Sequence, residues 1–489
     1  MGLSPGAPGA RAPEGAGARR LRPDLPFRRP ALVLSGGGAL GAYEAGVLRV
    51  LEAVGLAPRI VAGVSIGAIN AVIWQAHGGA TAALEEVWRR LTPTDVGFRW
   101  ITLLLRTLGG LVAVIGVFEL VSTVAGSREL SGSYWLWRRA SARIDLASTL
   151  LDLWMWGFVV VAGVLAAVFS RRIEGWLARR PPAADPGRAW RRAGQVLLGL
   201  WVVYLLVWAL GAPWPHRFSV SVLLVGGVVW LASRPGATNR WARLLLHAFL
   251  PETRGRGLWG ATSRERVLRR TVNAGDASRL VDPQVRLVIS ALAVDTGRIT
   301  HFVSGPPPTP EFTRRLEAEL GEVVYLREPG EVLNAAVASS AIPGVFEPVR
   351  VRGRDFVDAG GFTNQPLHVA LAAEADAVLA VLLWPSARPS VTPYPDSLFG
   401  LAGRLLAVAN WRDMQTELRQ LPPGWSRDER PARICVVEPD DVLPGGVLGF
   451  DPAQAAALIE RGERDAWAAL ERAGWLAPAE PAPAEPAPA

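Results

Sequence analysis

The chain has 489 residues, half of them apolar and only a fifth charged, a balance that indicates membrane-embedded parts rather than an ordinary soluble protein. Its net charge of +8 comes from arginine without any lysine, and no zinc-ligand spacing or base-stacking motif accompanies it, so we expect no nucleic-acid partner. The single cysteine, Cys435, excludes an intramolecular disulfide framework and is expected to lie buried in a short strand.

Both ends of the chain are of low complexity. Residues 1–28 consist mainly of Gly, Ala, Pro and Arg, which predicts a disordered basic tail, and residues 477–489 predict a disordered Pro/Ala/Glu tail. The first of these has no apolar stretch of the kind that a secretory signal peptide requires.

A glycine loop follows the first apolar run, which we expect to form a buried strand over residues 30–35. The loop contains Gly36, Gly37, Gly38 and Gly41 and leads into a helical pattern. Such a loop presents backbone N–H groups to an anion or to a developing oxyanion. A dinucleotide-binding loop is the alternative, although its glycine spacing is met only loosely, and a P-loop is excluded because it needs a lysine.

A second glycine-rich turn follows the apolar run at residues 60–64. Gly63, Ser65 and Gly67 form the Gly-x-Ser-x-Gly pattern that is typical of a nucleophile elbow, where a sharp strand-to-helix turn lifts a serine hydroxyl above the sheet. The glycines are required because a Cβ at either position would clash. Since the chain has 51 glycines and the pattern can arise by chance, an ordinary strand-to-helix turn is the alternative.

Between residues 98 and 250 the chain becomes strongly apolar. The second and third of its four apolar runs approach the roughly 20 residues that a bilayer requires. Most of the tryptophans lie in this part of the chain, as expected for interfacial anchors. We therefore predict an inserted transmembrane region, with a buried core as the alternative. The runs cover residues 103–125, 153–170, 196–212 and 218–232.

Charged residues predict the orientation of the spans and bear on whether the first run is a span. Arginines are concentrated between the second and third runs, at residues 171–192, which predicts a cytoplasmic loop and a multi-pass integral protein with its catalytic domain on the cytoplasmic side. With four spans, the loop at residues 126–148 would lie outside although it carries four arginines, so the first run is either a span or a re-entrant or surface helix.

Beyond residue 250 the sequence returns to an α/β pattern. Strands are predicted to alternate with helices, which indicates a mostly parallel sheet covered on both faces. The predicted strands cover residues 285–292, 298–303, 323–326, 356–358 and 377–383, and the predicted helices cover residues 311–320 and 335–341.

A serine hydroxyl needs a base to take its proton, and Asp358 is the best candidate. It ends an apolar run and precedes Ala359 and Gly360. An aspartate that only starts a turn is the alternative. A triad of Ser65, Asp358 and His368 is a formal alternative to the pair. Because no His, Cys or carboxylate cluster has metal-ligand spacing, we expect neither a metal nor a cofactor.

Together, these motifs resemble those of the patatin-like phospholipase family. The glycine loop matches the family's oxyanion loop, the turn at Ser65 matches its nucleophile elbow, and Asp358-Ala359-Gly360 matches its Asp-Gly-Gly/Ala motif. A fourth similar block lies at residues 338–348. The resemblance covers residues 30–96 and 255–440, and it departs from the family at Leu40, where Arg or Lys is usual, and at Ala359, where Gly is usual.

The resemblance implies an α/β fold with a patatin-like three-layer α/β/α core and a mostly parallel sheet, interrupted by the inserted transmembrane helical region. It also implies that Ser65 attacks an ester carbonyl, that Asp358 accepts the serine proton, and that the glycine loop holds the oxyanion through Gly36, Gly37 and Gly38. The expected domains are a tail at 1–28, the first part of the core at 29–97, the insert at 98–250, the second part at 251–476 and a tail at 477–489.

The resemblance thus implies a membrane-associated serine acyl hydrolase that cleaves phospholipids or related acyl lipids. Two other functions stay open at the level of sequence. One is a non-catalytic, membrane-anchored lipid-binding or scaffold protein, suggested by Leu40, Ala359 and the large insert. The other is a soluble esterase whose apolar insert forms a lid. The oligomeric state does not follow from the sequence.

Overall fold

The computed structural model describes residues 20–126, 142–178, 256–319, 321–386 and 398–477. These residues form two compact units. The core unit comprises the chain up to Gly97 and from Gly260 onward, and the helical unit runs from Phe98 to Trp259. The apolar runs predicted at residues 196–212 and 218–232, and the tail from residue 478 onward, lie outside the described residues.

Eleven strands are found among the described residues, and all except β3 belong to the core unit. They are β1 (Pro30–Leu34), β2 (Ile60–Val64), β3 (Gly257–Trp259), β4 (Arg286–Ala293), β5 (Ile299–Ser304), β6 (Gly321–Tyr325), β7 (Gly344–Phe346), β8 (Val349–Val351), β9 (Arg354–Asp358), β10 (Ala377–Val381) and β11 (Ile434–Val437).

The helices of the described residues alternate with these strands through much of the core unit. They are α1 (Ala42–Val54), α2 (Ile66–Ala76), α3 (Ala82–Arg90), α4 (Pro93–Val96), α5 (Trp100–Gly126), α6 (Ala142–Ala178), α7 (Thr262–Thr271), α8 (Ala274–Ala277), α9 (Pro310–Ala318), α10 (Pro329–Ser339), α11 (Leu367–Ala372), α12 (Leu398–Arg419) and α13 (Pro452–Arg472), with 3₁₀ turns at Gly38–Gly41 and Ser278–Val281.

One mixed sheet organises the core unit, with the strand order β11-β10-β1-β2-β4-β5-β6. Strands β11, β10, β1, β2 and β4 are mutually parallel, β5 returns antiparallel to β4, and β9 pairs antiparallel with both β4 and β8. The pairing of β2 with β4 places Ile60 opposite Arg286. The whole helical unit therefore lies between two neighbouring strands of the sheet in the order of the sequence.

The central strands are apolar because both of their faces are covered. All five residues of β2 are buried, and the same is true of β10 and β11. One face packs against α9 and α11 through residues that include Val33 and Ala62, and α2 lies against the sheet at β1 and β2. The predicted α/β/α core with a mostly parallel sheet is therefore confirmed, as is the burial of Cys435.

The predicted disordered tail is wrong at its end, since residues 20–28 are ordered against the core unit. Leu21 forms a β-bridge with Leu476, and the Phe27 ring lies 5.3 Å from that of Trp475. The backbone N–H of Arg28 also donates to Asp376 at 2.6 Å. Pairing with residues far along the chain supplies the order that the local composition does not predict.

The helical unit contains an antiparallel pair of long helices, α5 and α6. They approach closely where Gly109 meets Gly163, since a Cβ added to either would lie 2.5 Å from the other's carbonyl oxygen. At one end of the pair, Thr102 donates to Glu174 at 2.5 Å and Arg106 donates to Ser170 at 3.0 Å. Small residues and a few mutually satisfied polar groups therefore form the contact between the helices.

The outer surface of the helical unit is apolar, with Val114, Trp154, Phe158 and Val168 all more than half exposed. The apolar run at 103–125 forms most of α5, and the run at 153–170 lies within α6. Among the described residues, one helical segment, Trp156–Glu174, is long and apolar enough to cross a membrane by length and composition.

Candidate active site

Ser65 lies at the sharp turn between β2 and α2, with φ 55° and ψ −124°. A positive φ at a non-glycine residue stores strain of about 1–3 kcal/mol and is characteristic of functional turns. The flanking glycines allow the turn: a Cβ on Gly63 would lie 2.7 Å from the Gly67 carbonyl oxygen, and one on Gly67 would lie 2.5 Å from that of Leu34. The turn has the geometry of the predicted nucleophile elbow.

Asp358 ends β9 beside this turn. The Ser65 hydroxyl donates a hydrogen bond of 2.5 Å to Asp358 Oδ2, and the backbone N–H of Gly360 donates to Oδ1 at 2.7 Å. Burial raises the pKa of Asp358 to about 6, opposed by these two hydrogen bonds and by the positive charge of Arg264. At neutral pH the carboxylate is therefore mostly ionised and able to accept the serine proton.

The two departures from the family pattern remove no reacting group. Ala359 is fully buried, and among the described non-glycine residues only Ser65, Arg352 and Glu374 have positive φ, so the Ala359 methyl group introduces no backbone strain. Leu40 is also fully buried and packs as an apolar residue. The glycine loop consequently carries no cation of its own.

The glycine loop lies directly against Ser65, because a Cβ added to Gly36 would lie 3.0 Å from the Ser65 Cβ. Gly36 is braced by Asn364: its N–H donates to the Asn364 carbonyl oxygen, and Asn364 Nδ2 donates to the Gly36 carbonyl oxygen, both at 3.2 Å. Among the described residues, the N–H groups of Gly37 and Gly38 have no protein acceptor. Of the three predicted donors, Gly37 and Gly38 are thus the ones available to an oxyanion.

Two further side chains, Ser339 and Asn70, hold the elbow in place, and no sequence motif predicts a role for either. The backbone N–H of Ser65 donates to Ser339 Oγ at 2.8 Å, and the Ser339 hydroxyl donates to the Ser290 carbonyl oxygen at 2.7 Å. On the other side, Asn70 Nδ2 donates to the Gly41 carbonyl oxygen at 2.9 Å and to Glu44 at 2.8 Å. The second set of bonds ties the elbow helix to the glycine loop.

Glu44 is fully buried beneath the glycine loop, and burial raises its pKa to about 8. A carboxyl group with this pKa is mostly protonated at neutral pH. Gly41 lies close to the elbow helix as well, since a Cβ there would lie 2.6 Å from the Ile66 side chain. The loop and the elbow are therefore packed as one rigid feature.

His368 is not brought to Ser65 and Asp358 as the formal triad would require. Its ring contacts Glu417 through Nδ1 at 2.6 Å, and its backbone N–H donates to the same carboxylate at 2.9 Å. The other side of the ring faces His301 at 5.5 Å between centroids. Among the described residues, His368 forms no hydrogen bond with either member of the pair.

A pocket extends from Ser65 and Gly38, and the space free of protein atoms within it and at its mouth, which is open to solvent, is about 710 Å³. Its walls are mainly apolar, including Ile69, Ile73 and Phe450. In the parts of the chain that the structure describes, no group of three or more His, Cys, Asp or Glu side chains could hold a metal ion. The arrangement suits an apolar ligand whose polar end meets Ser65.

A serine hydroxyl on an elbow at the end of a pocket, with a carboxylate acceptor and a neighbouring glycine loop, defines a class of α/β proteins built for serine chemistry. The sequence model of the patatin-like phospholipase family matches residues 32–152 and 210–371, which together exceed half of the chain. The chain belongs to this family, whose members are lipid acyl hydrolases.

Solved structures give weaker likenesses. VipD from Legionella pneumophila is 13% identical over 93% of this chain and 70% of its own, with a TM-score of 0.34. The type III effector protein ExoU is 14% identical over 92% of this chain, with a TM-score of 0.27, and this chain spans 54% of its length. Neither score is high enough to carry an argument, so the family model alone assigns the chain. No curated protein matches it.

Proposed function

We propose that the protein is a membrane-associated lipid acyl hydrolase that uses Ser65 and Asp358 as a catalytic dyad. The observation that carries the proposal is the 2.5 Å hydrogen bond from the Ser65 hydroxyl to Asp358, located where the apolar pocket meets the glycine loop. A carboxylate in this position can accept the proton as the serine oxygen attacks.

The reaction proceeds in two halves. In the first, Ser65 Oγ attacks the ester carbonyl, its proton passes to Asp358, and the N–H groups of Gly37 and Gly38 stabilise the oxyanion. Each such donor contributes on the order of 3 kcal/mol to lowering the barrier. The tetrahedral intermediate then expels the alcohol, which takes the proton from Asp358. In the second half, water attacks the acyl-serine and gives its proton to Asp358, and the fatty acid leaves as Ser65 is restored.

The apolar pocket gives the proposal its substrate class. Because its walls carry Ile69, Ile73 and Phe450, transfer of an acyl chain of the substrate from water into the pocket is favourable. The family assignment agrees with this choice. We therefore propose phospholipids or related acyl lipids as substrates, with no metal or cofactor taking part.

Membrane association is supported by the helical unit. Its outward apolar side chains and the segment Trp156–Glu174 suit a bilayer. We propose that the chain divides as the sequence predicts, with the core in two parts at 29–97 and 251–476 around an insert at 98–250. The arginines at 171–192 support a multi-pass protein with the core on the cytoplasmic side.

A fluorophosphonate probe tests the dyad in membranes that contain the full chain. We expect the wild type to be labelled, Ser65→Ala to be unlabelled and Asp358→Asn to be labelled much more slowly. Ser340→Ala is the matched control, since Ser340 lines the same pocket and its hydroxyl bonds to the Val337 carbonyl oxygen. Equal labelling of the wild type and Ser65→Ala would disprove the proposal.

Extraction of the membranes tests the location. We expect the protein to stay in the membrane in high salt and to leave it only in detergent. Release by salt would favour the soluble esterase with a lid. The non-catalytic alternative is suggested by Leu40, Ala359 and the large insert, and the buried, unstrained positions of the two residues give it no support.

A further inference from the structure

Arg264 lies on α7 with its side chain in the pocket that contains Ser65. The residue is 8% exposed, and its guanidinium carbon lies 3.6 Å from the centroid of the Phe346 ring. Within the described residues, none of its three side-chain nitrogens has a hydrogen-bond partner. A buried guanidinium without a partner is rare because removing it from water is costly.

Arg264 also lacks an anion of its own in the pocket. The other charged residue among those that line it, Asp95, is exposed, and its carboxylate accepts hydrogen bonds from the Thr92 N–H at 3.0 Å and hydroxyl at 2.6 Å. Asp358 acts on Arg264 through its charge, but it is hydrogen-bonded to Ser65 and Gly360. Burial lowers the pKa of Arg264 to about 9, so the group is still a cation at neutral pH.

We propose that Arg264 binds the phosphate of a glycerophospholipid whose ester carbonyl lies at Ser65. The inference rests on the proposed function and narrows its substrate class from acyl esters in general to esters that carry a phosphate. A planar guanidinium offers paired N–H donors that match two phosphate oxygens. The bound phosphate supplies the hydrogen bonds that the protein leaves unmade.

The position of the anion bound to Arg264 shows that it is a phosphate and not the carboxylate of a fatty acid. The carboxyl carbon of the product is the atom that Ser65 attacks, so that group lies at the glycine loop. An anion bound to Arg264 while the ester lies at Ser65 is a second group of the same substrate molecule. In acyl lipids of the membrane, the phosphate of the head group is the anion attached within a few bonds of the ester.

The test compares two esters with the same acyl chain, a lysophosphatidylcholine and a monoacylglycerol, in mixed detergent micelles with the full-length protein. We expect Arg264→Gln to lower kcat/KM roughly 10- to 100-fold for the phosphate-bearing ester, the range typical of lost hydrogen bonds to a charged group. The monoacylglycerol should change less than about threefold, because it makes no such bonds. Arg264→Lys keeps the charge and should retain part of the preference.

Arg266→Gln is the matched control, since Arg266 is exposed on the same helix and the change in charge is identical. It should leave both substrates unaffected. Equal losses on the two esters in Arg264→Gln, or no loss on either, would overturn the inference while the dyad stands. If the wild type cleaves neither ester and resists the fluorophosphonate probe, the proposed function itself fails.

Thermal unfolding provides a readout that does not depend on turnover. Because Arg264→Met removes a buried charge without a partner, we expect its melting temperature without substrate to equal or exceed that of the wild type. A clear fall in melting temperature would assign Arg264 a structural role and overturn the inference.

Discussion

In the core unit the strands carry their apolar residues inward, so that β2, β10 and β11 are wholly buried and charged side chains lie mostly outside. The helices of the helical unit have the opposite arrangement. Glycines and a few polar groups face the partner helix there, whereas Trp154 and Phe158 face outward and are 79% and 68% exposed. The two units therefore differ in which side chains they bury and which they expose.

The difference also shows where a buried polar group can be tolerated. In the core unit, the buried Ser65 and Asp358 are hydrogen-bonded to each other, and the buried Glu44 accepts a hydrogen bond from Asn70 through Oε2. In the helical unit, the bonded pair of Thr102 and Glu174 lies at one end of the helix pair. The residues of the proposed active site therefore all lie in the core unit, whereas the apolar exterior belongs to the helical unit.

The largest expected effect comes from comparing a substitution at the proposed nucleophile with one on the outer surface of the helical unit. Ser65→Ala should lower the hydrolysis of a water-soluble ester at least about 10³-fold, since it removes the nucleophile. Trp154→Ala in the helical unit should leave that rate unchanged, because its side chain points away from the helix pair. The measurement is turnover of a short-chain ester by purified protein in detergent. A similar loss in both variants would contradict the division of roles.

A pair of glycine substitutions compares packing in the two units. Gly67→Ala should destabilise the core unit by about 3 kcal/mol, because its Cβ would overlap backbone atoms that cannot move aside. Gly157→Ala in α6 has nothing within 4 Å of the new Cβ and should leave stability unchanged or slightly raised. The measurement is chemical denaturation of each variant, monitored by the loss of fluorophosphonate labelling. Equal stability of the two variants would show that the elbow is loosely packed.

Labelling of introduced cysteines tests whether the exposed apolar residues of the two units face the same solvent. Phe158 and Phe362 are 68% and 63% exposed, and the only native cysteine is buried, so Phe158→Cys and Phe362→Cys are matched reporters. In membranes we expect a water-soluble maleimide to label Phe158→Cys at least about tenfold more slowly, because hydrocarbon suppresses the thiolate that reacts. Both should label at similar rates after denaturation in detergent. Equal rates in membranes would place the outer face of the helical unit in water.

The smallest effect concerns the ionisation of Asp358. With a pKa of about 6, kcat/KM should fall to about half at pH 6 and to about a tenth at pH 5, because only the ionised form accepts the serine proton. The free energy of unfolding depends on pH in the opposite sense. The folded pKa lies above the ordinary value of 3.8, so the stability that protonated Asp358 contributes is present at low pH and is lost as the pH rises towards 6.

Asp358→Asn provides the check on this sign. The variant should lose activity at every pH, and its stability should depend less on pH between about 4 and 6 than that of the wild type. Denaturation at pH 4.5 and pH 7 measures the difference. An activity profile that stays flat down to pH 5 would exclude Asp358 as the base.

Much of the site could be predicted because its constraints are local. A glycine at 63 or 67 and a strained serine at 65 follow from the shape of one turn, and such a turn has a short sequence signature. The strand that ends at Asp358 was predicted for the same reason. The fold class followed from strands alternating with helices, which depends on local periodicity as well.

The remaining features depend on contacts between distant parts of the chain. Arg264 and the exposed Arg266 lie on the same helix, and the ring that Arg264 packs against, Phe346, is 82 positions away in the sequence. The start of α10 was predicted too late, at residue 335 instead of Pro329, because Gly330 and Asn334 weaken the local helical pattern while Val332 and Leu333 are buried. The partner of His368 does not follow from the sequence either, since Glu417 is 49 positions away on α12, a helix that is not among the predicted elements.

The hydrogen bond between Ser65 and Asp358 joins residues that are 293 positions apart, with the helical unit between them in sequence. At the usual rates of synthesis, Asp358 leaves the ribosome roughly 15–60 s after Ser65. During that interval the growing chain contains a serine on an unfinished sheet, because β4, β9 and β10 do not yet exist. The pair of Ser65 and Asp358 is therefore completed only after the apolar helices α5 and α6 have been made.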